Sequence, residues 1–113
     1  MNYQTSSANA PNELFKALSD PTRRAIFEQL IREGEQNVRA LTISAGISQP
    51  AVSKHLSLLK HAGLVQERPQ GRAVHYSAQP AALAPLEDWL KQYGAFWNER
   101  FERLEQVLEG MDE

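Results

Sequence analysis

The sequence predicts a mostly α-helical domain that carries one small β-hairpin and ends in a long helix. Three observations predict it. A capping residue followed by proline occurs at Asp20-Pro21 and again around Ser48 and Pro50, and each marks a helix start. The stretch "LVQERPQGRAVHYSA" sets turn residues between two short runs suited to strands. From Leu86 to Met111, apolar residues step by three and four.

A chain of 113 residues falls in the ordinary range for one domain. It contains no cysteine, which excludes disulfides, thiolate metal sites and thiol redox chemistry. Residues 1–11, "MNYQTSSANAP", lack the basic start and apolar run of a signal peptide and read as a flexible polar arm. Nowhere do about 18 apolar residues run together, so the expected location is the cytoplasm, with no membrane partner. Residues 12–80 read as the main module, and residues 81–113 as a C-terminal helix of the same compact domain.

The net charge of −2 hides an uneven distribution. Residues 37–79 carry a charge of +4, from Arg39, Lys54, Lys60, Arg68 and Arg72 against Glu67 alone, whereas residues 80–113 carry −5. A basic module joined to an acidic helix suits a face that meets an anionic polymer; scattered solvated charge is the plainer alternative.

In "NELFKALSDPTRRAIFEQLIREG", Leu14, Phe15 and Leu18 lie at helical spacing before the stop at Ser19. A second helix starts at Pro21, buries Ala25, Ile26, Leu30 and Ile31 with Phe27 beside them, and ends at Gly34. Arg23 and Arg24 occupy its first turn, where the helix dipole disfavours cations, so they serve either a salt bridge or some other contact. "NVRALTISAG" reads as a short helix capped by Asn37, burying Val38, Leu41 and Ala45 and closed by Gly46. After a turn of Gly46 and Ile47, Ser48 caps the next helix, with Gln49 and Pro50 in its first turn. Helix, tight glycine turn, helix is the helix-turn-helix pattern.

That next helix has two faces. Val52, Leu56 and Leu59, widened by Ala51, Leu58 and Ala62, form an apolar stripe. Gln49, Ser53, Ser57 and Lys60 form the opposite side, flanked by Pro50, Lys54 and His61, without an acidic residue. Short hydrogen-bonding side chains near the helix start, with lysines behind them, suit base edges and phosphates in a DNA major groove. Ser48 is included with them as the cap; His55 suits either a phosphate contact or a satisfied boundary position. In the hairpin, Leu64 and Val65 begin the first strand, Pro69 to Gly71 supply the turn, and Ala73 to Ser77 return as the second. Arg68, Gln70 and Arg72 crowd its tip, so a two-stranded wing is expected to carry positive charge to a phosphate backbone or a minor groove. The predicted class is therefore a winged helix-turn-helix.

The last helix is expected from about Ala82 to Leu108, roughly 40 Å at about 1.5 Å per residue. Its apolar stripe exceeds what a small domain covers alone, so a second copy is the expected cover, through Leu14, Phe15, Leu86, Trp89, Leu90, Tyr93, Phe96, Trp97, Phe101 and Leu104. A small-molecule pocket lined by the aromatics is the competing reading.

Together, "ALSDPTRRAIFEQL", "SQPAVSKHLSLLKHAGLV" and "GRAVHYS" resemble the ArsR family of bacterial winged helix-turn-helix repressors over about residues 12–80. The tail "WNERFERLEQVL" resembles a branch of that family without metal ligands. The resemblance implies a homodimer that represses promoters by binding double-stranded DNA at inverted repeats, with Gln49, Ser53 and Lys54 in the groove and Arg68 and Arg72 in the wing. Many members release DNA on binding a metal or a small-molecule effector. Metal-sensing members carry cysteines on the helix matching "NVRALTISA", or histidines and carboxylates on the last helix; here the first has no cysteine and the last no histidine. Glu87, Asp88, Glu99, Glu102 and Glu105 offer only oxygen ligands, which suits a hard cation and not a selective transition-metal site. No metal and no cofactor are expected, and any other effector has no signature in the sequence.

An alternative from another class is a protein-interaction module that recruits a partner through the aromatic helix. Catalysis is not expected: with His55, His61 and His75 as the three histidines, the chain shows no Ser-His-acid spacing, phosphate loop or paired catalytic carboxylates.

Overall fold

The structure, a computed structural model, describes residues 11–112. The arm expected over residues 1–11 lies outside the described residues, apart from Pro11, which belongs to the first helix. The described chain forms two compact units that meet in sequence at Leu83 and Ala84.

In the first unit, α1 (residues 11–18) leads into α2 (Pro21–Glu33). Asp20 caps α2 by accepting a 2.9 Å hydrogen bond from the Arg23 amide, and that bond holds its carboxyl below the usual range. The arginines of the first turn turn back onto α1. Arg23 Nε donates to the Ala17 carbonyl at 2.5 Å and Nη2 to that of Lys16 at 3.3 Å, while Arg24 Nη1 donates to the Leu18 carbonyl at 2.7 Å. They satisfy carbonyls that the end of a helix leaves without intrahelical partners, which outweighs their unfavourable place on α2.

After α2 comes β1 (Gln36–Asn37), an element without a sequence signal. Asn37 also caps α3 (Val38–Ala45), its side chain accepting from the Ala40 amide at 2.8 Å. Gly46 closes α3 at φ 68°, a left-handed conformation that glycine adopts without strain, and returns its amide to the Thr42 carbonyl at 3.1 Å. Then α4 (Gln49–His61) begins behind Ser48, whose hydroxyl accepts from the Ala51 amide at 3.3 Å. The expected helix-turn-helix boundaries hold.

The hairpin consists of β2 (Val65–Gln70) and β3 (Ala73–Ala78), in register from Val65↔Ala78 to Gln70↔Ala73. Its turn is Gly71-Arg72, one residue later than expected, with Gly71 at φ 62°; positive φ at the first loop position is what a two-residue II′ turn needs. Pro69 is thus a strand residue, tolerated because β2 is an edge strand. β1 adds to the other side of β3, pairing Gln36↔Tyr76 and Asn37↔His75, to give a three-stranded antiparallel sheet in the order β1-β3-β2.

The core takes Leu14 and Ala17 from α1, Ile26, Phe27 and Leu30 from α2, Leu41 from α3, and Val52, Leu56 and Leu59 from α4, closed by Leu64 and Val65. No polar side chain is buried among the described residues. Two large apolar residues expected in the core lie outside it: Ile31 is 46 % exposed and Leu58 42 %. Ile31 sits roughly 90° and Leu58 roughly 130° around its helix from the centre of the buried stripe, so apolar character alone does not turn them inward. Ala25 is likewise exposed, and Phe27 is a full member of the core.

The second unit is α5 (Ala84–Asp112), preceded by a 3-10 turn at Pro80–Leu83. Its 29 residues span about 43 Å and pass through Gly94 without a break. Ion pairs Glu87–Lys91 and Glu99–Arg103, each one turn apart, support the polar side. Trp97 packs its ring near Phe96 and Phe101, with centroids at 5.6 and 6.4 Å, and the Arg100 guanidinium lies 4.2 Å from the Phe96 ring centre.

Candidate nucleic-acid interface

The site is built on α4. Val52, Leu56 and Leu59 are wholly buried, which fixes the rotation of the helix about its axis. With that rotation set, Ser48, Gln49, Pro50, Ser53, Lys54, Ser57 and Lys60 all emerge exposed. Proline in the first turn removes a donor that had no partner, so the helix start is compact and lies free at the surface. α4 contains no acidic residue. An outward row of amide, hydroxyl and ammonium groups is the chemistry that base edges and phosphates recognise.

Not every expected contact is equally available. Lys60 is ion-paired to Glu67 on β2, and Tyr76 Oη donates to the same carboxylate at 3.2 Å. The bond from Lys60 holds the Glu67 carboxyl below its ordinary value and raises the Lys60 ammonium. His55 is half-buried, its Nδ1 3.4 Å from Arg23 Nη1, which is the boundary position foreseen as one of its two readings. In the wing, Arg68 grips Glu35 with two nitrogens, Nε at 3.1 Å and Nη2 at 2.5 Å, and donates to Gln70 Oε1 at 3.1 Å. That fork pulls the Glu35 carboxyl down and the guanidinium up. Arg72, in the turn, is exposed and makes no ion pair among the described residues. Arg39, which the sequence reading counted only as charge, is exposed on the first turn of α3. Its signal was the one given by Arg23 and Arg24, a cation where the helix dipole disfavours one.

Residues 20–67 match the family model described as "Bacterial regulatory protein, arsR family". The HTH-type transcriptional regulator Rv2034 of Mycobacterium tuberculosis is 38 % identical over 104 residues, covering 92 % of this chain and 94 % of that protein. The chain belongs to the ArsR family. The transcriptional repressor SdpR of Bacillus subtilis is 33 % identical over 82 residues, 73 % of this chain and 90 % of that one. Among solved structures, the ArsR-like transcriptional regulator from Rhodococcus sp. RHA1 superposes with a TM-score of 0.71 at 32 % identity, covering 90 % of this chain and 95 % of the other. The ArsR family consists of DNA-binding transcriptional regulators, and the fold is its winged helix-turn-helix: α3 and α4 are the paired helices, β2 and β3 the wing.

For the ArsR dimer surface expected from the sequence, Leu14 is 3 % exposed in the core and offers a partner little area, while Phe15 is exposed and Leu86 half-buried. Trp89, Leu90, Tyr93, Phe96, Trp97, Phe101 and Leu104 are exposed along α5. Among the described residues, no group of three or more histidine or carboxylate side chains is placed to hold a metal ion, and no helix is long and apolar enough to cross a membrane.

Proposed function

We propose that this ArsR-family chain is a homodimeric repressor that binds an inverted-repeat operator in double-stranded DNA and acts without sensing a metal ion. The observation that carries the reading is the outward face of α4, where Gln49, Ser53 and Lys54 are exposed on a helix whose other side is locked in the core. Gln49 and Ser53 read base edges, and Lys54 contacts a phosphate. The exposed apolar residues of α5 support pairing with a second copy, and a two-fold dimer presents two such helices about 34 Å apart, one turn of DNA. The absence of cysteine from the whole sequence, and of histidine from α5, supports a regulator that no transition metal controls.

The test is selection of bound duplexes from a genomic pool, followed by gel-shift titration at near-physiological salt. A short palindrome should be enriched, and Gln49→Ala with Ser53→Ala should lower the preference for it over a shuffled duplex by tenfold or more, since each good base contact contributes about 1–3 kcal/mol. No retained duplex, or an unchanged preference in that variant, would sink the assignment. Zinc and arsenite should leave the titration unmoved.

A further inference from the structure

Between the first turn of α3, the start of α4 and the tip of the wing lies a cleft of about 360 Å³, with Arg39, Arg72 and Gln49 on its rim and Val38 and Val74 in its walls. The sheet brings them together. Asn37 pairs with His75, so the chain leaves β1 for α3 beside the start of β3, where Arg72 sits in the turn. Arg39 is the second residue of α3, whose first turn has no acid to balance it. A cation there is disfavoured by the helix dipole unless an anion joins it, and the same dipole and amides welcome that anion.

Of the other cations around the site, Lys54 is exposed on α4 but does not line this cleft, and the rest are engaged. Arg23 and Arg24 close the end of α1, Lys60 holds Glu67, and Arg68 holds Glu35. Among the described residues, Arg39 and Arg72 make neither an ion pair nor a side-chain hydrogen bond. Two uncommitted guanidinium groups thus face one cleft from different elements, and the planar fork of each matches the oxygens of a phosphate. Gln49, the first residue of the base-reading helix, shares that cleft.

The geometry points to a phosphodiester clamp in which Arg39 from α3 and Arg72 from the wing grip one phosphate of the DNA strand beside Gln49, at the start of the base-reading helix. This rests on the DNA-binding reading above. It assigns Arg39 a part that neither helix-turn-helix spacing nor the hairpin pattern gives it. It also makes Arg72, and not Arg68, the wing cation that meets DNA first.

The test uses the full chain, a duplex enriched by the wild-type protein and a shuffled duplex of equal length, each titrated over a range of salt. Arg39→Ala and Arg72→Ala should each weaken both duplexes by a similar factor, on the order of tenfold, and flatten the plot of log affinity against log salt by about 0.9 per protomer. The double variant should lose little more slope than either single one, because one phosphate is released only once. Unchanged slopes in the single variants, slope losses that add in the double variant, or a selective loss on the enriched duplex would each overturn the clamp. Both side chains are exposed, and unchanged thermal melting of the variants confirms that binding alone is read. Failure of the clamp is separable from failure of the parent reading: wild-type protein that retains no duplex removes DNA binding itself, whereas wild-type protein that discriminates through Gln49 and Ser53 while ignoring Arg39 removes only the clamp.

Discussion

Two anions compete for the Arg68 guanidinium, the Glu35 carboxylate within the chain and a phosphate brought by DNA. The internal partner holds it with two nitrogens, so a phosphate must displace a formed fork before Arg68 contributes. Glu35→Gln should therefore tighten binding to enriched and shuffled duplexes alike and steepen the salt dependence by about 0.9 per protomer; a slope equal to wild type would show that Arg68 never reaches DNA. The same carboxylate carries a pH signature. Glu35 and Glu67 are held below their ordinary value of 4.5 by Arg68 and Lys60, so their contribution to stability is complete above that pH and is lost as acid carries them through the lower folded-state values. Both pairs are solvent-exposed and the effect is small, but Glu35→Gln with Glu67→Gln should flatten the fall of melting temperature below about pH 4.5. The Glu35–Arg68 pair was not legible beforehand, because the two residues lie 33 positions apart and meet only through the sheet. The first-turn arginines of α2 were legible as an anomaly, and their resolution needed the position of the end of α1.

At the scale of elements, capping chemistry is local, and the sequence carried it well. Asp20, Asn37 and Ser48 each accept the amide three residues on, and the helices start where those residues put them. β1 was not legible, since its two polar residues have no alternation of their own and become a strand only by pairing with β3. The outward face of α4 was legible for a related reason: the buried stripe of Val52, Leu56 and Leu59 fixes by geometry what must point away from it. Leu58 marks the limit of that logic, an apolar residue outside the buried stripe that stays 42 % exposed. The two leucines make a matched test. Leu56→Ala should lower unfolding free energy by about 2–5 kcal/mol in urea titration, through lost burial and the cavity it leaves, whereas Leu58→Ala should stay within roughly 0.5 kcal/mol. Equal losses at both positions would mean that the helix is rotated from the orientation on which the exposed Gln49 and Ser53 depend.

For the whole molecule, the question is what covers α5. Leu90, Trp97, Phe101, Leu104 and Leu108 are each at least half exposed along a helix of about 43 Å, a far longer apolar stripe than a monomer ordinarily leaves to water. A second copy of the chain fits both this surface and the two-fold operator proposed above, and it links two weak half-site contacts into one strong one. Phe101→Glu with Leu104→Glu puts like charges into that seam and leaves the Glu99–Arg103 pair that supports the helix in place. The variant should sediment as a monomer at micromolar concentration, where the wild-type chain should sediment as a dimer. Its affinity for the full palindrome should fall on the order of 100-fold, the lower end of the gain that linkage provides. Its preference for the half-site over a shuffled half-site, assigned above to Gln49 and Ser53, should survive. A variant that remains dimeric would place the subunit contact elsewhere, and a monomeric variant with undiminished affinity for the palindrome would show that each reading helix binds its half-site without help from the other.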